Sequence, residues 1–498
     1  MTEETLTQTG SAGEQEELLS LADAVLYLGV SKPTIYRLLE RGEVKGFKVG
    51  NQWRFRRADL TAYLERSPVA VAMGGIPSAL LDTELEWFAG ELRGLEITPP
   101  SWESTASSEE KTLILVNQMI RLAVAMRASD IHLEAMRFGD NNVLLLRYRI
   151  DGVLHEMHRM SIELQAPMLA RWKTMANMNL EERRLPQDGR IQIRIDGRNL
   201  DLRVSLNPTV FGEALVARIL DPAVVLLGLE KLELMPDDLA RLSGFMRRAS
   251  GLLIFTGPNG SGKTTTMYSS LLEVAGPEIK TLSIEDPVEY LLPWVTQTQV
   301  NMRNGLTFAS ALRSFLRQDP DVIMAGETRD CDTALIIIQA ALTGHLVLTS
   351  LHTTNAATAL IRLIDIGVER FLVAASVAGV VSQRLVRKLC QHCKTPVEVP
   401  QASLRALGIS QEELAGATFY TAPGCPACAH RGFRGRIGIY EILTFSETIA
   451  RQVINGASSE ELEQTAVAEG MTSLLRDGLR KAAAGLTTVE EVLRVVAP

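Results

Sequence analysis

The sequence predicts a multidomain α/β protein, and three observations carry that prediction. Its 498 residues are more than one hydrophobic core serves, so about three or four domains are expected. An apolar strand over 252–255 runs into the glycine-rich turn Gly257-Pro258-Asn259-Gly260-Ser261-Gly262-Lys263-Thr264 and then into a helix, which is the setting of a P-loop. Beyond it, short apolar strands alternate with helical stretches, the pattern of a parallel sheet covered by helices on both faces. Apolar residues at 46% and charged residues at 22% are those of a globular chain, and no window approaches about 18 uninterrupted apolar residues, so no membrane-spanning helix is expected. The acidic N-terminus lacks a basic-then-apolar leader and predicts a cytoplasmic protein. A net charge of −8 argues against global affinity for nucleic acid and leaves local basic patches open.

Taken in order, residues 1–17 are rich in Thr, Glu, Gln and Gly and are predicted to be disordered, with too little apolar surface to offset the entropy of ordering. Residues 18–67 read as a helix over 21–28, a turn at Gly29, a second helix opened by Ser31 with Pro33 in its first turn, and a hairpin at Gly50-Asn51. From Ser31 to Arg57, eight basic residues face two glutamates, a net +6 inside an acidic chain. This winged helix-turn-helix resembles excisionase and MerR-type DNA-binding domains. The resemblance implies duplex DNA as a partner, with Ser31, Lys32, Thr34, Tyr36 and Arg37 at the major groove and Arg54 and Arg56 on the wing. Such units also serve as protein-docking modules, and a basic face is also an ordinary solvated face. Residues 68–110 carry Pro68, Gly74, Gly75, Pro77, Pro99 and Pro100 and predict a linker interrupted by one short helix, whose Leu81, Leu85, Phe88 and Leu92 form a packing or docking stripe.

Residues 111–227 predict an α+β domain, with a helix over 113–126, alternating strands such as 143–150, and a second helix over 168–178. Residues 228–498 predict a RecA-like ATPase domain whose ligands gather at the carboxyl ends of its parallel strands. In the P-loop, backbone N–H groups from Gly257 to Thr265 converge on phosphate oxygens, Lys263 reaches the β- and γ-phosphates, and the Thr264 hydroxyl suits Mg²⁺. Strands over 282–284 and 321–326 end in Glu285 and Glu327. A carboxylate there can hold Mg²⁺ through water or orient the attacking water, and Glu327 is the candidate for that role. Two Cys-x-x-Cys pairs, Cys390/Cys393 and Cys425/Cys428, lie 31 residues apart, and in a reducing compartment their four thiolates suit structural zinc. Residues 446–498 read as C-terminal helices.

The motifs RASDIHLE (127–134), RYRIDG (147–152), RLPQDGRI (184–191) and DLRVSLNPTVFGE (201–213), followed by the P-loop, resemble the secretion ATPase family of type II secretion and type IV pilus assembly systems over residues 111–498. The resemblance implies a PAS-like domain before the motor core and ATP with Mg²⁺ at the P-loop. It implies that Glu285 and Glu289, in EDPVE, help hold metal or water, and that His345 and His352, in TGHLVLTSLHTTNA, both lie near the nucleotide. It implies Arg190 and Arg203 as cations supplied from the preceding domain; Arg313 and Arg317 match as well and also fit helix-surface ion pairs. It implies a zinc-binding tetracysteine element, which assembly motors have and retraction ATPases lack. A homohexamer acting on an inner-membrane platform protein, peripheral on the cytoplasmic side, completes what it implies. Asn259, Thr354-Asn355 and Cys331-Asp332 depart from the usual pattern without removing a catalytic group, and the helix-turn-helix replaces the family's usual N-terminal docking domain. The expected function is therefore an ATP-driven pilus or pseudopilus assembly motor. The alternative is a DNA-binding regulator or DNA-translocating ATPase.

Overall fold

The structure, a computed structural model, describes residues 18–28, 32–40, 42–50, 52–66, 77–103, 105–220, 228–399 and 417–496. The expected disorder of 1–17, the groove position of Ser31, the turn residues Gly29 and Asn51 and the glycines Gly74 and Gly75 lie outside the described residues. The chain divides into two compact units, Met1–Pro222 and Ala223–Pro498.

The first unit opens with three strands, β1 (Leu18–Ser20), β2 (Phe47–Val49) and β3 (Gln52–Arg56), paired antiparallel in the order β1-β3-β2. Helices Leu21–Leu28, Lys32–Glu40 and Arg57–Arg66 close over them around Ala24, Leu28, Ile35, Phe55 and Leu60. Gly46 lets the second helix and the wing approach closely, since a Cβ there would lie 2.8 Å from Leu39 Cδ2 and 3.0 Å from Phe55 Cε1 and would push the Leu39 tip aside. Thr34, expected at the groove, is buried instead, since it lies on the helix face turned to this core. Lys32, Tyr36, Arg37, Lys48 and Arg56 are exposed.

The helix expected within residues 68–110 is present, longer than expected, and its stripe packs rather than docks a partner. Residues Ser78–Gly94 form a 17-residue helix. Its Leu81, Leu85, Phe88 and Leu92 are fully buried in one core with the helix Ser108–Ala125. Buried Lys111 ties the two helices by donating to Asp82 at 2.8 Å and Ser78 at 2.5 Å. His158 stacks on Trp87 at 3.9 Å and shares a 2.6 Å hydrogen bond with Glu84. The prolines suggested a spacer, but the apolar stripe between Pro77 and Pro99 decides the outcome by burial.

Six antiparallel strands follow: β4 (Ala128–Phe138), β5 (Asn141–Ile150), β6 (Val153–Ser161), β7 (Gln187–Ile195), β8 (Arg198–Thr209) and β9 (Gly212–Leu220), in the order β6-β5-β4-β9-β8-β7. Alternation sends Ile131, Leu133, Leu146, Leu202 and Val204 to the helical side. The other face carries one register row of Arg149, Asp130, Arg218, Arg203 and Arg190 across five strands.

The second unit is a seven-stranded sheet, and its strands are β10 (Gly251–Thr256), β11 (Thr281–Glu285), β12 (Val295–Gln299), β13 (Val322–Ala325), β14 (Leu346–Leu351), β15 (Val377–Leu389) and β18 (Phe433–Thr444). The order is β12-β11-β13-β14-β10-β15-β18. All neighbours are parallel except β15 and β18, so the expected parallel sheet gains an antiparallel edge pair. Beyond that pair a small sheet of β16 (Thr395–Val397) and β17 (Phe419–Thr421) stands beside the cysteines. Four helices, Glu447–Asn455, Ser459–Ala468, Leu474–Ala483 and Val489–Val496, end the chain. No helix among the described residues is long and apolar enough to cross a membrane.

Candidate nucleotide site and cysteine cluster

The P-loop joins the end of β10 to the helix Lys263–Val274, so its backbone amides meet at a helix N-terminus, where the dipole favours anions. Gly257 and Gly262 have φ of 145° and 92°. A Cβ at Gly257 would lie 2.4 Å from the Gln383 carbonyl oxygen, and one at Gly262 would lie 2.6 Å from Gln383 Nε2. Strand β15 is therefore the floor of the loop, with Gln383 held in place by a 2.7 Å bond from Thr266 Oγ1. Pro258, Asn259 and Gly260 are exposed at the tip, Ser261 is buried with an unpartnered hydroxyl, Thr264 is exposed and Thr265 half-buried. Lys263 Nζ donates to the carbonyls of Gly257 at 2.8 Å and Pro258 at 3.0 Å. Burial pulls its pKa down to about 8, and the Glu327 charge opposes that shift.

Glu327 lies in the turn after β13 and His352 directly after β14, so both arrive at carboxyl strand ends. His352 Nδ1 is 3.5 Å from Lys263 Nζ and its Nε2 is 3.6 Å from Glu327 Oε2. Burial and the Lys263 charge both lower the His352 pKa. The loop holding His352 is pinned to β10, because the Thr353 N–H donates to Thr256 Oγ1 at 3.1 Å and the two hydroxyls lie 2.6 Å apart. Next to this chain of charges opens a cavity of about 470 Å³, lined by Pro258, Asn259, Arg329, His352, Thr354 and Arg384.

Two expected residues are placed differently. His345 precedes β14 at its amino end, where Nδ1 is 2.9 Å from the Ala340 carbonyl oxygen. The six residues of β14, roughly 20 Å of extended chain, separate it from His352, so the structure does not bring it to the P-loop. Glu285 ends β11 but is 3% exposed, accepting from the Tyr268 hydroxyl, from Ser283 Oγ at 2.6 Å and from Gln297 Nε2 at 3.0 Å. Burial and the Glu285 charge hold the Tyr268 phenol protonated as a donor. Glu289 joins this network through its backbone N–H, which donates to the Tyr268 oxygen at 3.3 Å.

Within the first unit, Arg190 and Arg203 are cross-strand neighbours, and Arg190 Nε reaches both oxygens of Asp201 at 2.7 Å. Arg313 and Arg317 are exposed, and Arg317 donates to the Arg313 carbonyl at 2.7 Å. Gln383, Arg329 and Arg384 were not singled out from the sequence. No spacing points to Gln383 and Arg384, because β15 pairs with β10 across more than a hundred residues of chain, whereas Arg329 lies two residues beyond Glu327 and its nearness was the signal available.

The four thiols of Cys390, Cys393, Cys425 and Cys428 lie within 4.8 Å of one another. Cys390 Sγ is 3.8 Å from Cys425 Sγ, which is 3.8 Å from Cys428 Sγ, and Cys393 Sγ is 3.9 Å from Cys428 Sγ. Backbone N–H groups of Cys425 at 3.2 Å and Gly432 at 3.3 Å donate to Cys428 Sγ. Cys331 stands apart, against Gly367.

A family model described as type II/IV secretion system protein matches residues 105–494, and a helix-turn-helix domain model matches residues 18–68. A type IV pilus assembly ATPase, PilB, from Myxococcus xanthus is 45% identical over 395 residues, covering 79% of this chain and 69% of that protein. The type II secretion system protein E of Pseudomonas aeruginosa is 40% identical over 483 residues, 97% of this chain and 90% of the relative. The solved ATPase DotB of Legionella pneumophila overlays 79% of this chain and 97% of its own with a TM-score of 0.56 at 19% identity, a likeness of fold.

Proposed function

The chain belongs to the type II/IV secretion system protein family, and from that premise we propose that it is an ATPase motor driving assembly of a type IV pilus or a type II secretion pseudopilus. The observation that carries this reading is the run of Lys263, His352 and Glu327 above the glycine-rich loop, with separations of 3.5 and 3.6 Å. Loop amides and Lys263 bind and orient the β- and γ-phosphates, so that binding energy is spent on positioning the transferred group. Glu327 orients the attacking water and takes up its proton, and His352 couples Glu327 to Lys263. Thr264, exposed on the first turn of its helix, offers a hard hydroxyl oxygen that suits magnesium, which when bound neutralises phosphate charge. Arg190 and Arg203 supply positive charge to the transferred phosphoryl group. Glu285, enclosed by three donors, braces the end of β11, and Gly257 through Thr265 form the cradle.

The cysteine cluster is proposed to hold structural zinc. Zn–S bonds of about 2.3 Å at tetrahedral angles imply S···S edges of about 3.8 Å. The separations of 3.8, 3.8 and 3.9 Å support that donor set. A tetracysteine element favours an assembly motor over a retraction ATPase. The motor is proposed to be a homohexamer, cytoplasmic and peripheral on the inner membrane, working against a platform protein there. A second reading concerns residues 18–67, where exposed Lys32, Arg37, Lys48 and Arg56 give the recognition helix and wing a positive face suited to duplex DNA.

The proposal is tested by ATP turnover of the full-length protein. We expect Mg-dependent hydrolysis that Lys263→Ala lowers more than about 100-fold while circular dichroism stays unchanged. Equal turnover in the two proteins would remove the P-loop from the activity.

A further inference from the structure

Arg329 belongs to none of the motifs that single out the site, yet its guanidinium occupies the carboxylate on which hydrolysis depends. Arg329 Nη2 is 2.6 Å from Glu327 Oε1, and His352 Nε2 faces Glu327 Oε2 at 3.6 Å, so each carboxylate oxygen already faces a nitrogen. A carboxylate engaged in this way is poorly placed to hold a water for attack. The two partners differ sharply in exposure: the Arg329 side chain is 69% exposed and that of Glu327 13%. Arg329 can therefore leave the pair at little cost, whereas Glu327 is largely enclosed.

The place it would move to is the cavity of about 470 Å³, whose wall already includes Arg329 together with Asn259, His352, Thr354 and Arg384. Arg384 is anchored there, donating through Nη1 to the Val495 carbonyl at 2.8 Å. Lys263 Nζ lies beneath, within the glycine-rich loop, on the carbonyls of Gly257 and Pro258. Of the cations around this space, Arg329 is held by an exposed ion pair rather than by backbone carbonyls.

We propose that Arg329 is a positioning residue that reads the terminal phosphate: it holds Glu327 in an ion pair until a γ-phosphate in the cavity draws the guanidinium away and frees the carboxylate. A terminal phosphate carries more charge than a carboxylate and accepts the guanidinium fork at two oxygens, so the exchange runs towards phosphate. ADP lacks that group and leaves the pair closed. The release of Glu327 is thereby conditional on ATP. No covalent bond changes in this step. The inference rests on the ATPase reading above.

The test is a fluorescence titration of the full-length protein with the β,γ-imido analogue of ATP and, separately, with ADP, both with magnesium. Wild type, Arg329→Ala and Arg329→Lys are compared. Loss of one charge-assisted contact predicts that Arg329→Ala weakens the analogue about tenfold and ADP less than about twofold. Arg329→Lys, which keeps the charge and loses the fork, is expected between the two. Equal weakening of both nucleotides would make Arg329 a prop for the turn and overturn the proposal. Unchanged affinity for the analogue would overturn it too. A wild-type protein that binds neither nucleotide would instead sink the ATPase reading itself, a result distinguishable from lost discrimination in a variant.

Discussion

The two large sheets of this protein use the same twenty amino acids to make sites in opposite ways. The parallel sheet of the second unit buries both faces, so its chemistry is pushed to the carboxyl ends of β10, β13 and β14, where turns deliver Lys263, Glu327 and His352. The antiparallel sheet of the first unit buries one face only. Its other face displays Arg149, Asp130, Arg218, Arg203 and Arg190 as a row across strands, each a cross-strand neighbour of the next. A strand-end site is written in short contiguous motifs. A register row is spread over some ninety residues of chain and becomes visible only when the pairing is known.

If the register row supplies charge to the reaction, Arg190→Ala and Arg203→Ala should each lower kcat about 100-fold or more with nucleotide affinity nearly kept. A steady-state comparison of kcat and KM decides it, and a rise in KM alone would confine the row to structure. The edge pair β15 and β18 tests whether the cysteine element is a separate local device. Cys393→Ser should drop zinc from about one per chain to near none by metal analysis and lower the unfolding temperature by several degrees, because structural metal binding is coupled to folding. Full zinc content in the variant would refute the four-thiolate site. The smallest effect sharpens the strand-end rule itself. His352→Ala should cost about tenfold in turnover and His345→Ala less than about twofold, although both belong to one motif. Equal losses would mean that the amino end of β14 matters to the chemistry as well.

These contrasts also explain what the sequence disclosed. The P-loop, Glu327 and the paired cysteines were legible because glycine, a strand-end acid and Cys-x-x-Cys carry their meaning in local spacing, whereas His352 came only with the family resemblance. His345 was misplaced because motif membership does not say which end of a six-residue strand a residue occupies. Glu285 was expected at the site and is instead turned under by Tyr268, a contact between a strand end and a helix 17 residues earlier. The helix Ser78–Gly94 was readable from its apolar stripe, but the prolines around it suggested a shorter helix within a linker. Gln383 had no local signal at all. Its role as the floor beneath Gly257 and Gly262 exists only because β15 lies beside β10.

The most direct test of the central claim is a paired measurement on full-length Glu327→Gln: affinity for Mg-ATP and the rate of its hydrolysis. The account predicts binding within about threefold of wild type and turnover reduced more than about 100-fold, since the amide still fills the strand end but cannot take a proton. Turnover equal to wild type would contradict it, by showing that hydrolysis proceeds without the carboxylate around which Lys263, His352 and Arg329 are arranged.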